Sequence, residues 1–185
     1  MEITCIILAA GLSRRFGSNK LLERTAGGET LLERALRACD GFPAVAVTLG
    51  ETDAALRGTR VRTVRNHAPD LGMSHSLKLA HAVVDPSHAI AVLPADLACI
   101  TADDVRAIAG ALDDHDVVFP VDGGGVPGHP VVFSPRARAY ICELHDGDTI
   151  RELRDRSGLR RRAIVRDSNG PFVDVDTPSD MLELA

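Results

Sequence analysis

The side chains in this sequence best suited to chemistry are two cations in a glycine-bearing loop and three carboxylates far downstream. Arg15 and Lys20 follow the apolar run Ile6-Ile7-Leu8 and the small-residue turn Ala9-Ala10-Gly11, with Gly17 between them. Backbone N–H groups at such a turn can cradle phosphate oxygens, and the cations can neutralise their charge. Lys20 and Lys78 are the only lysines in a chain whose other cations are arginines, which marks the lysine in the loop. Asp96 follows the apolar run Ala89 to Leu93. A carboxylate at the carboxyl end of a buried parallel strand can hold a divalent cation near phosphate. Asp174 and Asp176 stand two residues apart, so in extended chain they share a face. They suit a metal site, and Asp176 or Thr177 also suits capping of a helix that opens at Pro178.

Other motifs narrow the chemistry. The first loop is not a P-loop, because Lys20 lies three residues after Gly17 instead of next to a glycine. A Gly-x-Gly-x-x-Gly occurs at Gly123, Gly125 and Gly128, but His129-Pro130 and a β-like run follow it. It therefore lacks the helix N-terminus that a dinucleotide site needs and reads as a mobile loop or hairpin turn. No Gly-x-Ser-x-Gly elbow, HExxH pair or CxxC pair is present, which disfavours a serine hydrolase, a zinc protease and a zinc ribbon. Gly72-Met73-Ser74-His75-Ser76-Leu77 places a glycine and two serines at a loop-to-helix junction, suited to capping, ligand binding or both. His129, between Gly128 and Pro130, falls in a candidate substrate loop.

The elements that must position these groups alternate along the chain. Strand patterns run over Ile3–Leu8, Ala44–Leu49, Val61–Val64, Ala89–Leu93, Val117–Val121 and Val131–Phe133, with late candidates at Ile164–Val165 and Phe172–Val175. Helix signals open near Thr30, Ser74, Thr101, Pro135, Thr149 and Pro178, with a capping box at Thr30–Glu33 and a cap at Thr101 with Asp104. Strands separated by helices predict a three-layer α/β/α, Rossmann-like domain over residues 1–185 with a mostly parallel sheet, whose ligands sit beyond the carboxyl ends of the strands. A length of 185 residues is enough for one such core. A net charge of −5 argues against nucleic-acid or anionic-membrane partners. The four scattered cysteines read mostly as reduced core residues, and no secretion signal or membrane-length apolar run is seen, so the expected location is the cytoplasm.

In this order the motifs resemble those of the MobA-like nucleotidyltransferases. Leu8-Ala9-Ala10-Gly11 with Ser13, Arg15, Gly17 and Lys20 resembles that family's LAAGxSxRxGxxK signature, and Gly72 to Leu77 its GMSxSL segment. Asp96 falls where the family has a metal aspartate; Gly128-x-Pro130, Gly147-Asp148 and Asp174 to Asp180 resemble its G-x-P loop, GD loop and DIDTPxD ending. The resemblance implies transfer of a nucleotidyl group from a nucleoside triphosphate to a phosphorylated small-molecule acceptor, with release of pyrophosphate. It implies that Leu8, Ala9, Ala10, Gly11, Gly72 and Ser76 bind the nucleotide and that Arg15, Lys20 and Asp96 are catalytic. Asp96 and Asp176 would hold Mg²⁺ with Asp174 in reserve, and Gly128, His129 and Pro130 would face the acceptor. The Ala-Ala-Gly turn resembles the form that uses CTP and a molybdopterin acceptor, where the guanylyl form has Gly-Gly; a molybdoenzyme is the implied partner. The sequence departs at Phe16, at Leu97-Ala98 and at Thr149-Ile150, where the family has GDxGAR. Guanylyl transfer, isoprenoid-type cytidylyl transfer and a non-catalytic nucleotide- or cofactor-delivery module stay open beside the cytidylyl reading.

Overall fold

Seven strands form one sheet in a computed structural model that describes residues 1–182. The strands are β1 (Ile3–Ala9), β2 (Ala44–Thr48), β3 (Arg62–Arg65), β4 (Ala89–Pro94), β5 (Val117–Val121), β6 (Val131–Phe133) and β7 (Arg161–Val165). Their order is β3-β2-β1-β4-β6-β5-β7. All neighbours pair parallel except β6, which runs antiparallel to both β4 and β5. The glycine-rich turn sits in the β5–β6 connection, where Asp122 Oδ1 accepts from the N–H groups of Gly124 and Val126 and closes a hairpin. The reversal of strand order between β1 and β4 is the switch point at which α/β sheets open a crevice.

Alternation along the central strands divides the core into two layers. Cys5, Ile7 and Ala9 of β1, with Ala91 and Leu93 of β4, point to one face and meet α1 (Leu31–Ala38) and α4 (Ala102–Ala109). Ile6, Ile90 and Val92 point to the other, where α3 (Met73–His81), α5 (Pro135–Arg138) and α6 (Ile150–Arg154) lie. Capping boxes at Thr30–Glu33 and Thr101–Asp104 start α1 and α4 where the sequence places them, and a further one at Thr149–Glu152 starts α6.

Three features differ from the sequence expectation. A short helix, α2 (Gly50–Ala55), follows β2; only Thr52 of it is buried, so it has no apolar stripe to read. It is anchored by Thr52 Oγ1, which accepts from Leu49 N–H and donates to the carbonyl of Ala9. Phe172 to Val175 is not a strand. It lies against the loop after β4 through one bridge, Leu97 to Asp174, flanked by hydrogen bonds from Ala98 N to Val173 O and from Val175 N to Asp96 O. Cys5 and Cys39 are buried thiols, but Cys99 and Cys142 are exposed. The last described helix is α7 (Pro178–Leu182), and among the described residues no helix is long and apolar enough to cross a membrane.

Candidate active site

A cleft of about 510 Å³ opens beyond the carboxyl ends of β1 and β4. The first loop, Ala10 to Arg15, forms one wall; Pro69, Asp70 and the start of α3 at Gly72, Met73 and Ser76 form the other. Lys20, Asp96 and Asp176 also line it. A helical turn over Lys20–Leu22, capped by the Asn19 side chain, turns Lys20 inward until the residue is only 8% exposed.

Burying an ammonium is tolerable only with partners. Lys20 Nζ lies 2.8 Å from Asp96 Oδ2, 2.5 Å from the carbonyl of Val175 and 3.4 Å from Asp176 Oδ1. The same Asp176 carboxylate takes Arg15 Nη1 on its other oxygen at 2.9 Å. The four charges converge from three distant segments because Val175 N–H bonds the carbonyl of Asp96 and pins the tail onto the loop after β4. Capping of α7 falls to Thr177 and Asp180: Asp180 Oδ2 accepts the N–H groups of Asp176 and Thr177. The carboxylate of Asp176 is thereby left to face the cations. Asp174, the carboxylate expected on the same face, is exposed and does not line the cleft.

Asp96 Oδ1 is buried and has no hydrogen-bond partner among the described residues. An unpartnered carboxylate oxygen on a residue that lines the cleft fits a hard divalent ion, which prefers oxygen donors. No group of three or more His, Cys, Asp or Glu suited to a metal exists among the described residues. Two carboxylates fit an ion that completes its shell with substrate phosphate and water, as Mg²⁺ does.

The remaining sequence candidates fall in two places. Leu8, Ala10, Gly11, Gly72 and Ser76 line the cleft; Ala9 does not, since its side chain is buried in the core. Gly72 has φ of +87°, and a Cβ there would lie 3.3 Å from Gly147 Cα, so glycine lets the Gly147-Asp148 loop dock on the start of α3. The docking bonds run from Gly147 N to Leu71 O and from Ser74 N to Asp148 O. Gly128, His129 and Pro130 directly precede β6 and do not line the cleft, and His129 Nδ1 approaches the carbonyl of Val92 in β4 at 3.4 Å. Burial lowers the pKa of His129, with the charge of Asp96 opposing that shift, so the neutral ring is favoured. Gly128 is wedged against the tail: a Cβ would come within 2.4 Å of the Pro171 carbonyl.

One residue here escaped the sequence reading. Asn66, directly after β3, is 3% exposed, accepts the Ala68 N–H on Oδ1 and donates from Nδ2 to Ser76 Oγ at 3.0 Å. Its signal in the sequence is faint: a polar residue just past a strand, whose hydrogen-bond partner Ser76 stands ten positions away.

A mostly parallel sheet with a cation-and-carboxylate cleft at its switch point fits a nucleotide-handling α/β protein. The chain belongs to the MobA-like NTP transferase domain family, whose profile matches residues 5–164, and is a nucleotidyltransferase of that family. It is similar to the molybdenum cofactor cytidylyltransferase of Escherichia coli, 26% identical over 97% of this chain and 94% of that protein. Among solved structures it resembles Rv0371c of Mycobacterium tuberculosis, 28% identical with a TM-score of 0.81 over 99% of both chains. A homolog from Mycobacterium sp. strain JC1 is 29% identical with a TM-score of 0.81, covering 98% of this chain and 94% of that one. A Rv0371c structure described as a manganese complex, matched at 24% identity with a TM-score of 0.81 over 100% of this chain and 98% of that one, shares the fold.

Proposed function

We propose that this chain transfers CMP from CTP to the terminal phosphate of a small-molecule acceptor, molybdopterin cofactor, and releases pyrophosphate. The observation that carries this reading is Lys20, buried at the floor of the cleft between Asp96 and Asp176 with Arg15 on the outer oxygen of Asp176. That arrangement suits a triphosphate whose leaving group must be neutralised. An acceptor phosphate oxygen attacks the α-phosphorus in line; the new P–O bond forms as the bond to the bridging oxygen breaks, and the electron pair leaves with pyrophosphate.

In this reading Ala10 and Gly11 with Gly72 and Ser76 hold base and ribose. Arg15 and Lys20 meet the β- and γ-phosphates. Asp96 and Asp176 hold Mg²⁺, which when bound draws charge from the phosphates and from the leaving oxygen. Manganese in a structure of Rv0371c accords with a divalent ion in this fold. Gly128, His129 and Pro130 face the acceptor, and the chemistry needs no protein nucleophile. The preference for CTP rests on the Ala9-Ala10-Gly11 turn and on the name of the E. coli relative. A molybdoenzyme that receives the product, and a cytoplasmic setting where Cys5 and Cys39 stay reduced, complete the reading.

Pyrophosphate release with each of the four nucleoside triphosphates and molybdopterin as acceptor tests it. CTP should give release that EDTA abolishes and Mg²⁺ restores. Metal-independent release would overturn the two-aspartate site; preference for GTP would overturn the base assignment. Tight CTP binding with no release would favour a delivery module.

A further inference from the structure

We infer that Asn66 is a positioning residue that keeps the hydroxyl proton of Ser76 free for an acceptor on the base of the bound nucleotide; this rests on the proposed nucleotide-binding function of the cleft. The argument starts from the amide. A backbone N–H can donate only to an oxygen, so the 2.8 Å bond from Ala68 N fixes Asn66 Oδ1 toward the loop. The other end of the amide facing Ser76 is therefore the NH₂ group, and Ser76 Oγ accepts at 3.0 Å. A hydroxyl has one proton and two lone pairs. With a lone pair committed to Asn66, and with no carbonyl or carboxylate among the described residues receiving its proton, Ser76 presents that proton to the cleft it lines.

The surroundings hold this polarity in place. Asn66 is nearly fully buried, its N–H bonds the Thr48 carbonyl in β2, and Ser76 sits in the second turn of α3 with 6% exposure. Neither side chain has room to turn over without breaking a buried hydrogen bond. Among the described residues nothing takes the Ser76 proton, so an acceptor atom of the ligand, such as O2 or N3 of a cytosine base, satisfies it. Position 76 thus contributes to nucleotide binding through the direction of its proton as well as through shape.

Asn66→Asp reverses that direction with almost no change in size. The carboxylate still accepts from Ala68, but it now also accepts the Ser76 proton, which turns the serine's lone pairs to the ligand. Nucleotide affinities measured by titration calorimetry on the full chain, with Mg²⁺ and each of the four triphosphates, should show Asn66→Asp weakening the preferred triphosphate about tenfold or more. In a Ser76→Ala background the same substitution should change affinity by less than about twofold, because no hydroxyl remains to be reversed. An equal loss in both backgrounds would assign Asn66 to loop stability or charge alone and overturn the inference. Should Asn66→Asp fail to fold, Ser76→Cys retains the shape with a poor donor and should also weaken binding about tenfold; undiminished binding by that variant would equally overturn the donor role. If the wild-type chain binds no triphosphate, the proposed function falls and this inference with it, whereas tight binding without coupling removes the inference alone.

Discussion

At the residue scale the site turns on Lys20, because its ammonium does two jobs with one geometry. It compensates Asp96 and Asp176, both partly buried, and in the proposed function it meets the departing phosphates. Lys20→Ala should lower turnover about a hundredfold or more, the scale of one lost preorganised charge contact of about 3 kcal/mol. Steady-state pyrophosphate release checks this, and full activity would remove Lys20 from the chemistry. Asp96→Asn keeps the volume and a hydrogen-bond acceptor for Lys20 but removes the charge behind the orphaned Oδ1. It should raise the Mg²⁺ concentration needed for half-maximal activity at least tenfold, read from a metal titration, while an unchanged requirement would place the ion elsewhere. The types of these residues were legible in the sequence, but their meeting was implied by the family resemblance alone. Nothing in the spacing says that Val175 bonds the backbone of Asp96, which is what brings Asp176 to Lys20 and leaves Asp174 outside. Asn66 was missed because its meaning lies in which end of its amide faces Ser76.

At the element scale most of the fold could be read, and the exceptions have physical causes. Buried strands announce themselves by apolar runs and capped helices by Thr-x-x-Glu or Thr-x-x-Asp, so β1, β4, α1 and α4 fall close to their expected places. α2 buries one residue, and Phe172 to Val175 packs as an extended arm with a single bridge; neither carries a periodic signal. α3 stops at His81, where the Arg138 guanidinium takes the carbonyl of His81 and that of Val84 just beyond. At the other end of α3, Gly72 combines a left-handed backbone with close approach of Gly147. Gly72→Ala should cost about 1–2 kcal/mol from the backbone alone, and should displace the Gly147-Asp148 loop. Thermal unfolding and the KM for nucleotide measure the two effects. A stable variant with unchanged KM would mean that this docking does not shape the cleft.

At the scale of the whole molecule, the functional end of the sheet and its structural anchor lie at opposite edges. The cleft is at the carboxyl ends of β1 and β4; the anchor is Arg138, 2% exposed, which donates to the carbonyls of His81, Val84, Asp85 and His88 just before β4 begins. Truncating it to Met leaves several buried carbonyls unpaired. Arg138→Met should therefore lower stability by about 3 kcal/mol or more, near 6–12 °C in Tm. The same anchor gives the protein a directional response to acid. Arg138 Nε donates to His81 Nδ1, a bond that requires the unprotonated nitrogen, and burial together with the Arg138 charge lowers the pKa of His81. A histidine whose folded pKa lies below its unfolded value near 6.5 contributes its full stabilisation above that pH. The contribution is lost as pH falls below 6.5 and through the folded value, because the unfolded chain takes the proton first. His129, shifted down chiefly by burial, acts in the same direction. Tm should thus stay level from pH 8 to about 7 and fall below about 6.5. His81→Gln should make that fall shallower, since its amide can accept from Arg138 without titrating. A Tm profile that is flat to pH 5, or one that His81→Gln leaves equally steep, would show that neither the anchor nor its histidine governs acid stability.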